Sequence, residues 1–428
     1  MCAPSTEKTK GSFHSTVAAA AAALVALVTY RVSVKLGPNF TAGPASLVPA
    51  VPPLDDAVGV YANPHLSAGN KLLEYIFPAL LDVGSMIPCS ILSPDLACMS
   101  GARTSTVDES SFRALLKTHE ETTIDIERDG GGLPLKVVLL LPRNRNPLDP
   151  PPPLIVWFHG GGFVVGGARD GYLASLIPQT SGDAVWASVE YRLAPENPYP
   201  AAPDDCFLAL KHLLNKFKLP DGTRFGKGGV HLAGVSAGGT LVLETALRAM
   251  HMSLQVDSVF ADEPVLPLHS HKNQSADILS VFDSKSYRRN WYSRIPGVAW
   301  TEWFWGAYTG CPQQGPELSE AEKNGLVACH HASDYFIGGV LSVKEWGKAK
   351  RRNGGTLPPL LVVTSKGDIF ADGATPLIEA YSLADSNVAV KHVEALSSHG
   401  VPYLMDSKAA SEVFSSWNEM VEKAKGLY

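Results

Sequence analysis

The chain has 428 residues, 45% of them hydrophobic and 18% charged, which supplies a large core and excludes a disordered chain. Its formal charge of -6 is modest and it contains no long Lys/Arg block of the kind that follows a phosphate backbone, so nucleic acid is not an expected partner. The six cysteines, Cys2, Cys89, Cys98, Cys206, Cys311 and Cys329, form no C-x-x-C pair for zinc or redox chemistry and read as isolated small hydrophobes; Cys89 with Cys98, or Cys311 with Cys329, remain candidates for pairing in an oxidising compartment.

Along the chain, the first feature is an uninterrupted Ala/Leu/Val run from Val17 to Val28, flanked by Lys8 and Lys10 before and Arg31 and Lys35 after. The strictly apolar part fits the core of a signal peptide, and residues 15–30 together make a short membrane anchor feasible. No clean small-x-small cleavage site follows, so segment 1–36 is expected to be an uncleaved anchor, in the endoplasmic reticulum, with secretion as the alternative. Similar positive charge on both flanks leaves the orientation open. Two sequons, at Asn39 and Asn273, would accept glycans if the body faced the lumen.

Residues 37–60 are rich in Pro, Gly and Ala and read as a linker, followed by helical spacing from Leu72 to Leu81; the segment 37–120 is taken as linker and N-terminal cap helices. Thr122 to Arg128, the turn Gly130-Gly131-Gly132 and Leu135 to Leu141 predict a β-hairpin. Leu154 to Phe158 is a short, wholly apolar strand of the kind buried in a parallel sheet. Similar runs recur at Ala184–Val189, Val230–Ala233, Val256–Phe260, Leu360–Thr364 and Val388–Val393, with helix-length segments between them, among them Asp204–Phe217, Gly238–His251 and Ala374–Ala384. Strand and helix alternating in this way predict an α/β fold, a mostly parallel sheet flanked by helices, with a core of 121–264 and 356–428. The interval 265–355 breaks the rhythm and reads as an insertion. Its rings at Trp300, Trp303, Phe304 and Tyr308 share a helical face, and either form the insertion's own core or line a pocket.

Gly234-Val235-Ser236-Ala237-Gly238 fits G-x-S-x-G between an apolar strand and a helix, where the glycines let the serine occupy a strained turn with its hydroxyl pushed outward. His159-Gly160-Gly161-Gly162 follows the strand Leu154 to Phe158, and such a glycine run leaves backbone N–H groups free to face a developing oxyanion; the amides of Gly161, Gly162 and Ala237 are the expected donors. A serine hydroxyl needs a base, and the base needs a carboxylate to fix its tautomer. Asp368 lies in the loop after the strand Leu360 to Thr364, at the sheet edge where α/β folds bind ligands. Asp372 competes for the role but resembles a helix-start residue. His399 stands in the loop after the last strand and is the expected base, whereas His392 sits within the strand alternation and reads as a structural or surface histidine.

These motifs, in this order, resemble the hormone-sensitive-lipase-like family of carboxylesterases. The stretch from Glu190 to Glu196, with Pro198 and Pro200 after it, matches the family's segment between its oxyanion loop and its nucleophile, and the resemblance covers roughly 120–426. It implies an α/β-hydrolase fold with a helical cap, a Ser236/Asp368/His399 triad, supporting roles for His159, Gly160 and Glu190, a hydrophobic ester of short acyl group as substrate, and no metal or organic cofactor. Val235 departs from the family's usual Asp before the nucleophile, and Gly373 from a common acidic residue. The Trp-rich insertion and N-terminal run are closer to membrane-anchored fungal steryl acetyl hydrolases and arylacetamide deacetylases. A ligand-binding protein on the same fold, or an amidase or thioesterase with the same triad, are the rival expectations, and oligomeric state is not legible.

Overall fold

The computed structural model describes residues 109–144, 150–180, 182–219, 221–266, 284–290, 298–310, 339–400 and 402–425. The apolar run Val17–Val28, the linker, the helix expected over Leu72–Leu81, both sequons, every cysteine but Cys206 and much of the insertion lie outside these residues. Among the described residues no helix is long and apolar enough to cross a membrane.

The chain runs through α1 (Glu109–Leu115), β1 (His119–Ile126), β2 (Leu135–Pro142), β3 (Leu154–Phe158), α2 (Gly171–Leu176), β4 (Val185–Glu190), α3 (Ala201–Asn215), β5 (Val230–Val235), α4 (Ala237–His251) and β6 (Ser258–Asp262). It continues through α5 (Lys285–Arg289), α6 (Val298–Thr309), α7 (Val343–Arg352), β7 (Leu360–Ser365), α8 (Ala374–Ala384), β8 (Val390–Ala395), α9 (Pro402–Met405) and α10 (Ser407–Lys425). The eight strands form one sheet in the order β1-β2-β4-β3-β5-β6-β7-β8. The hairpin pairs Ile126 with Leu135 at its turn and joins β4 antiparallel, while β4, β3, β5, β6, β7 and β8 are mutually parallel. This is the mostly parallel sheet with an antiparallel opening that the apolar runs predict. The central strands are apolar throughout because both faces are covered: β3 and β5 are buried at every position.

One face carries α3, α4, α7 and α8. On the other, α10 presents Ala409, Val413, Trp417 and Val421 at helical spacing, with the Trp417 ring 5.2 Å from that of Phe260. The hydrophobic core extends beyond the expected boundaries. Phe112 and Leu115 of α1 are buried in the same cluster as the sheet, so the core begins before residue 121. Within the stretch assigned to the insertion, α7 is a core helix, since its buried Trp346 meets Tyr381 of α8 edge-on at 4.7 Å. The strand expected over Val256–Phe260 is displaced to Ser258–Asp262, and α3 starts at Ala201 rather than Asp204.

Buried Asp205 on α3 ties the hairpin to the sheet. Its two oxygens accept from Arg128 at 2.9 and 3.0 Å, from the Arg192 guanidinium at 2.9 Å twice and from the Arg192 amide at 2.9 Å. Burial alone would raise this carboxyl, but the bonds from Arg128 and Arg192 outweigh it and hold Asp205 below the usual carboxylate range. The group therefore contributes stability above the ordinary carboxylate range that is lost as acid protonates it. Asp205→Asn is expected to cost about 2 kcal/mol, moderated by the partial exposure of both arginines, and to lower Tm by a few degrees in thermal unfolding at neutral pH. The deficit should shrink in acid.

Candidate active site

β5 ends at Val235 and α4 begins at Ala237, leaving Ser236 alone at the bend with φ 56 and ψ -122. A non-glycine residue holds that conformation at a cost of roughly 1–3 kcal/mol, so its surroundings must enforce it. The Ser236 amide donates to the Asp262 carbonyl at 2.8 Å, anchoring the bend to β6. On the β3 side, Gly238 lies so close to the Phe158 carbonyl that any Cβ would collide with it. Bend and helix are thereby wedged between neighbouring strands, with the hydroxyl at the C-terminal edge of the sheet.

The other two groups come from the next strands along. After β7, a turn closed by the Asp368 amide on the Ser365 carbonyl at 3.0 Å presents Asp368, which is 1% exposed. One of its oxygens accepts from the Phe370 amide at 3.0 Å and the other lies 2.8 Å from His399 Nδ1. His399, in the loop after β8, stands with Nε2 2.8 Å from Ser236 Oγ. With the Nδ1 proton given to Asp368, Nε2 is free to accept the serine proton. Burial pushes this imidazole down, but the charge and hydrogen bond of Asp368, with Glu263 and Asp262 behind them, outweigh burial and hold it up at about 9. Asp372, the competing acid, faces away: it accepts from the Ser286 amide at 2.7 Å and fastens α5 to the core.

His159 to Gly162 leave β3 directly beside the serine. A Cβ on Gly160 would stand 3.4 Å from Ser236 Cβ. Gly161 has φ 108, and there a side chain would strike the Val165 carbonyl, which is why glycine is required. The Gly161 carbonyl accepts from Val164 and Val165 at 3.1 and 3.0 Å, while among the described residues the amides of Gly161, Gly162 and Ala237 have no backbone acceptor. His159 is a brace for this loop: Nδ1 lies 2.7 Å from the Gly160 carbonyl, the ring stacks on Tyr191 at 4.1 Å, and burial pushes it down to about 4, so it stays neutral. Glu190 accepts from the Ala168 amide at 2.6 Å and steadies the loop's far end. Phe163, next after the glycines, stacks on Tyr308 of α6 at 3.8 Å, and Phe304 of the same helix closes over Gly162. Of the ring face expected on this helix, Tyr308 thus packs on the loop and Phe304 borders the site, while the Trp300 and Trp303 side chains lie outside the described residues.

Sequence reasoning did not single out Asp262 and Glu263 at the end of β6. One Asp262 oxygen accepts from Tyr172 at 2.5 Å and Tyr403 at 2.7 Å, and burial raises this carboxyl to about 6. Glu263 accepts from Ser365 and from the Gly400 amide, the latter at 2.5 Å. The available signal was two acids ending a parallel strand at the sheet's ligand-binding edge. Glu263, Asp368 and His399 place ligand atoms within 4.8 Å of one another, as a cation site would, but these atoms are engaged with Ser365, Gly400, Phe370 and Ser236.

The sequence model of the alpha/beta hydrolase fold matches residues 155–401. The chain belongs to the α/β-hydrolase family. Human hormone-sensitive lipase is 37% identical over 145 residues, 33% of this chain and 12% of the lipase, in keeping with the hormone-sensitive-lipase-like branch. The gibberellin receptor GID1A of Arabidopsis thaliana is 28% identical over 244 residues, 56% of this chain and 61% of the receptor. A thermostable esterase from Pseudomonas putida ECU1011 superimposes with a TM-score of 0.58 at 22% identity, covering 84% of this chain and 98% of that one. The chain thus spans less than two thirds of either curated relative's length.

The two acids in the β7–α8 loop make different contacts and should behave differently. Asp368→Asn is expected to lower kcat by several orders of magnitude through the wrong histidine tautomer, and Asp372→Asn to change it only slightly while lowering Tm; ester-hydrolysis kinetics and thermal unfolding of the two variants check this.

Proposed function

We propose that the protein is a serine carboxylesterase working through an acyl-enzyme. The observation that carries this reading is the pair of 2.8 Å contacts linking Ser236 Oγ, His399 and Asp368. Ser236 Oγ attacks the ester carbonyl carbon as its proton passes to His399 Nε2, and the carbonyl electron pair moves onto the oxygen. The amides of Gly161, Gly162 and Ala237 receive that oxyanion, each contributing about 3 kcal/mol of transition-state stabilisation. The intermediate collapses, the alcohol leaves with the proton from His399, and a water deprotonated by His399 repeats the addition at the acyl carbon to release the acid and restore Ser236.

The substrate class we propose is a short-acyl ester, such as an acetate, of a hydrophobic alcohol, a sterol or similar secondary metabolite. Support comes from the family resemblance and from Phe304 closing the space over Gly162, which favours a small acyl group. A binding role without turnover is the second reading, favoured by the similarity to a gibberellin receptor. The two separate on one variant. Ser236→Ala is expected to stay folded and to lose hydrolysis of aryl acetates by about a millionfold, and an organophosphonate should label Ser236 alone by mass spectrometry. An unlabelled, inactive wild-type chain would favour the receptor-like reading. Anilide and thioester analogues in the same assay test the amidase and thioesterase alternatives.

We also propose that residues 15–30 tether the enzyme to the endoplasmic reticulum membrane, which would bring it to substrates partitioned into lipid. As a helix this segment spans about 24 Å against a hydrocarbon core of about 30 Å, a short anchor that local thinning would accommodate. Tagged full-length protein is expected to stay with membranes through an alkaline carbonate wash, whereas a chain beginning at Gly37 should be released. Release of the full-length protein, or its secretion after cleavage, overturns the tether and leaves the esterase reading untouched.

A further inference from the structure

The relay from Ser236 to Asp368 leaves the buried acids that end β6 unused, and Glu263 is the one beside the histidine loop. Glu263 is 1% exposed and sits at φ 45, a left-handed conformation in a non-glycine residue, immediately where β6 ends. Its own amide continues the sheet pairing, donating to the Val363 carbonyl at 3.0 Å, so the backbone there is held from β7. Both carboxylate oxygens are committed to the histidine side of the site. Oε1 accepts from the Ser365 hydroxyl, which is also 2.6 Å from Ser397 Oγ, and Oε2 accepts from the amide of Gly400, the residue after His399, at 2.5 Å. The same Oε2 lies 4.0 Å from His399 Nδ1, on the nitrogen that faces Asp368.

A carboxylate used only to tie down a loop could serve that purpose from any direction. This one stands close enough to feel the imidazole's charge, in an interior where opposite charges within about 4–6 Å shift one another's protonation. We propose that Glu263 is a positioning residue acting through His399: it fixes the His399–Gly400 loop from β6 and presents a second carboxylate to the imidazolium that forms during turnover, supporting it in part when Asp368 is lost. The inference rests on the esterase reading of the site. Among the described residues the groups facing this pair are Asp368 after β7, Asp262 on β6 with Tyr172 of α2 and Tyr403 of α9 against it, and the hydroxyls of Ser365 and Ser397. Burial raises Glu263 to about 8 while the positive charge of His399 pulls it back down, so acid and base titrate as one linked system, with ionised Glu263 favoured when His399 is charged.

The test is the pH dependence of kcat/KM for the full chain with an aryl acetate, in wild type, Glu263→Gln, Asp368→Ala and the double variant. General-base chemistry needs neutral His399, so activity falls as pH drops through the histidine's pKa. Removing the Glu263 charge should move that acid limb to lower pH by about one unit while the plateau falls only a few fold. In the Asp368→Ala background the same change should cost at least about tenfold more, because the remaining carboxylate is then removed. An unmoved acid limb, or a double variant as active as Asp368→Ala, overturns the proposal and assigns Glu263 to loop anchoring alone. Should Glu263→Gln not fold, NMR titration of the His399 ring in Asp368→Ala decides: titration at or above the ordinary imidazole range supports the second carboxylate, and titration well below it overturns it. Hydrolysis surviving Ser236→Ala would instead overturn the esterase reading itself.

Discussion

The bend at Ser236 is the constraint on which the rest of the structure depends. Its backbone is unfavourable alone, and it persists because three strands share in holding it: β5 delivers the chain, the Asp262 carbonyl of β6 takes the Ser236 amide, and the Phe158 carbonyl of β3 presses on Gly238. The parallel order of the sheet does the remaining work. With β7 and β8 following β6, their C-terminal loops bring Asp368 and His399 to the same edge, and with β3 on the other side its glycine loop arrives opposite them. Rigid elements thus set the distances, and the loops supply only the chemistry.

The charge balance at that edge is unequal. Among the described residues one histidine faces three buried acids, Asp262, Glu263 and Asp368, each engaged by donors from a different part of the chain. Phenolic hydroxyls hold Asp262, a serine and an amide hold Glu263, and an amide and the imidazole hold Asp368. Buried carboxylates without such partners would be neutral or would disrupt the fold, so the tyrosines and serines around the site serve stability as much as geometry.

Much of this architecture is legible in the sequence because the central strands are apolar on both faces and end in Gly-rich or acidic loops. β3 coincides with its apolar run, and β5 outruns it only through Gly234 and Val235 into the bend. Where polar residues enter the core the reading slips. β6 is displaced toward Asp262 because Ser258 and Asp262 are buried with partners, Ser258 meeting His231 at 2.7 Å, and hydropathy alone cannot foresee such partners. Edge strand β8 slips for another reason, since its half-exposed residues alternate weakly. For the site, Ser236, Asp368 and His399 are conspicuous because each follows a strand in a set order. Glu263 is not, because acids that end a strand read as solvated surface until the fold turns them inward; the structure separates Asp372 from Asp368 by their contacts, with Ser286 for the one and His399 for the other.

The aromatic stack between α6 and the glycine loop couples two parts that are usually considered separately. Phe163 lies flat on Tyr308 and edge-on to Trp305 at 6.2 Å, and each such pair is worth of the order of 0.5–1.5 kcal/mol beyond burial. Lifting this helix away would therefore withdraw packing from the residue adjoining the glycine amides. On the proposed reading the helix and the polar cradle would act as one unit: a guest that enters without disturbing α6 would meet an assembled cradle, whereas one that must pry the helix up would meet a loosened one. On the proposed esterase reading, the packing itself would then penalise how a guest arrives as well as how it fits.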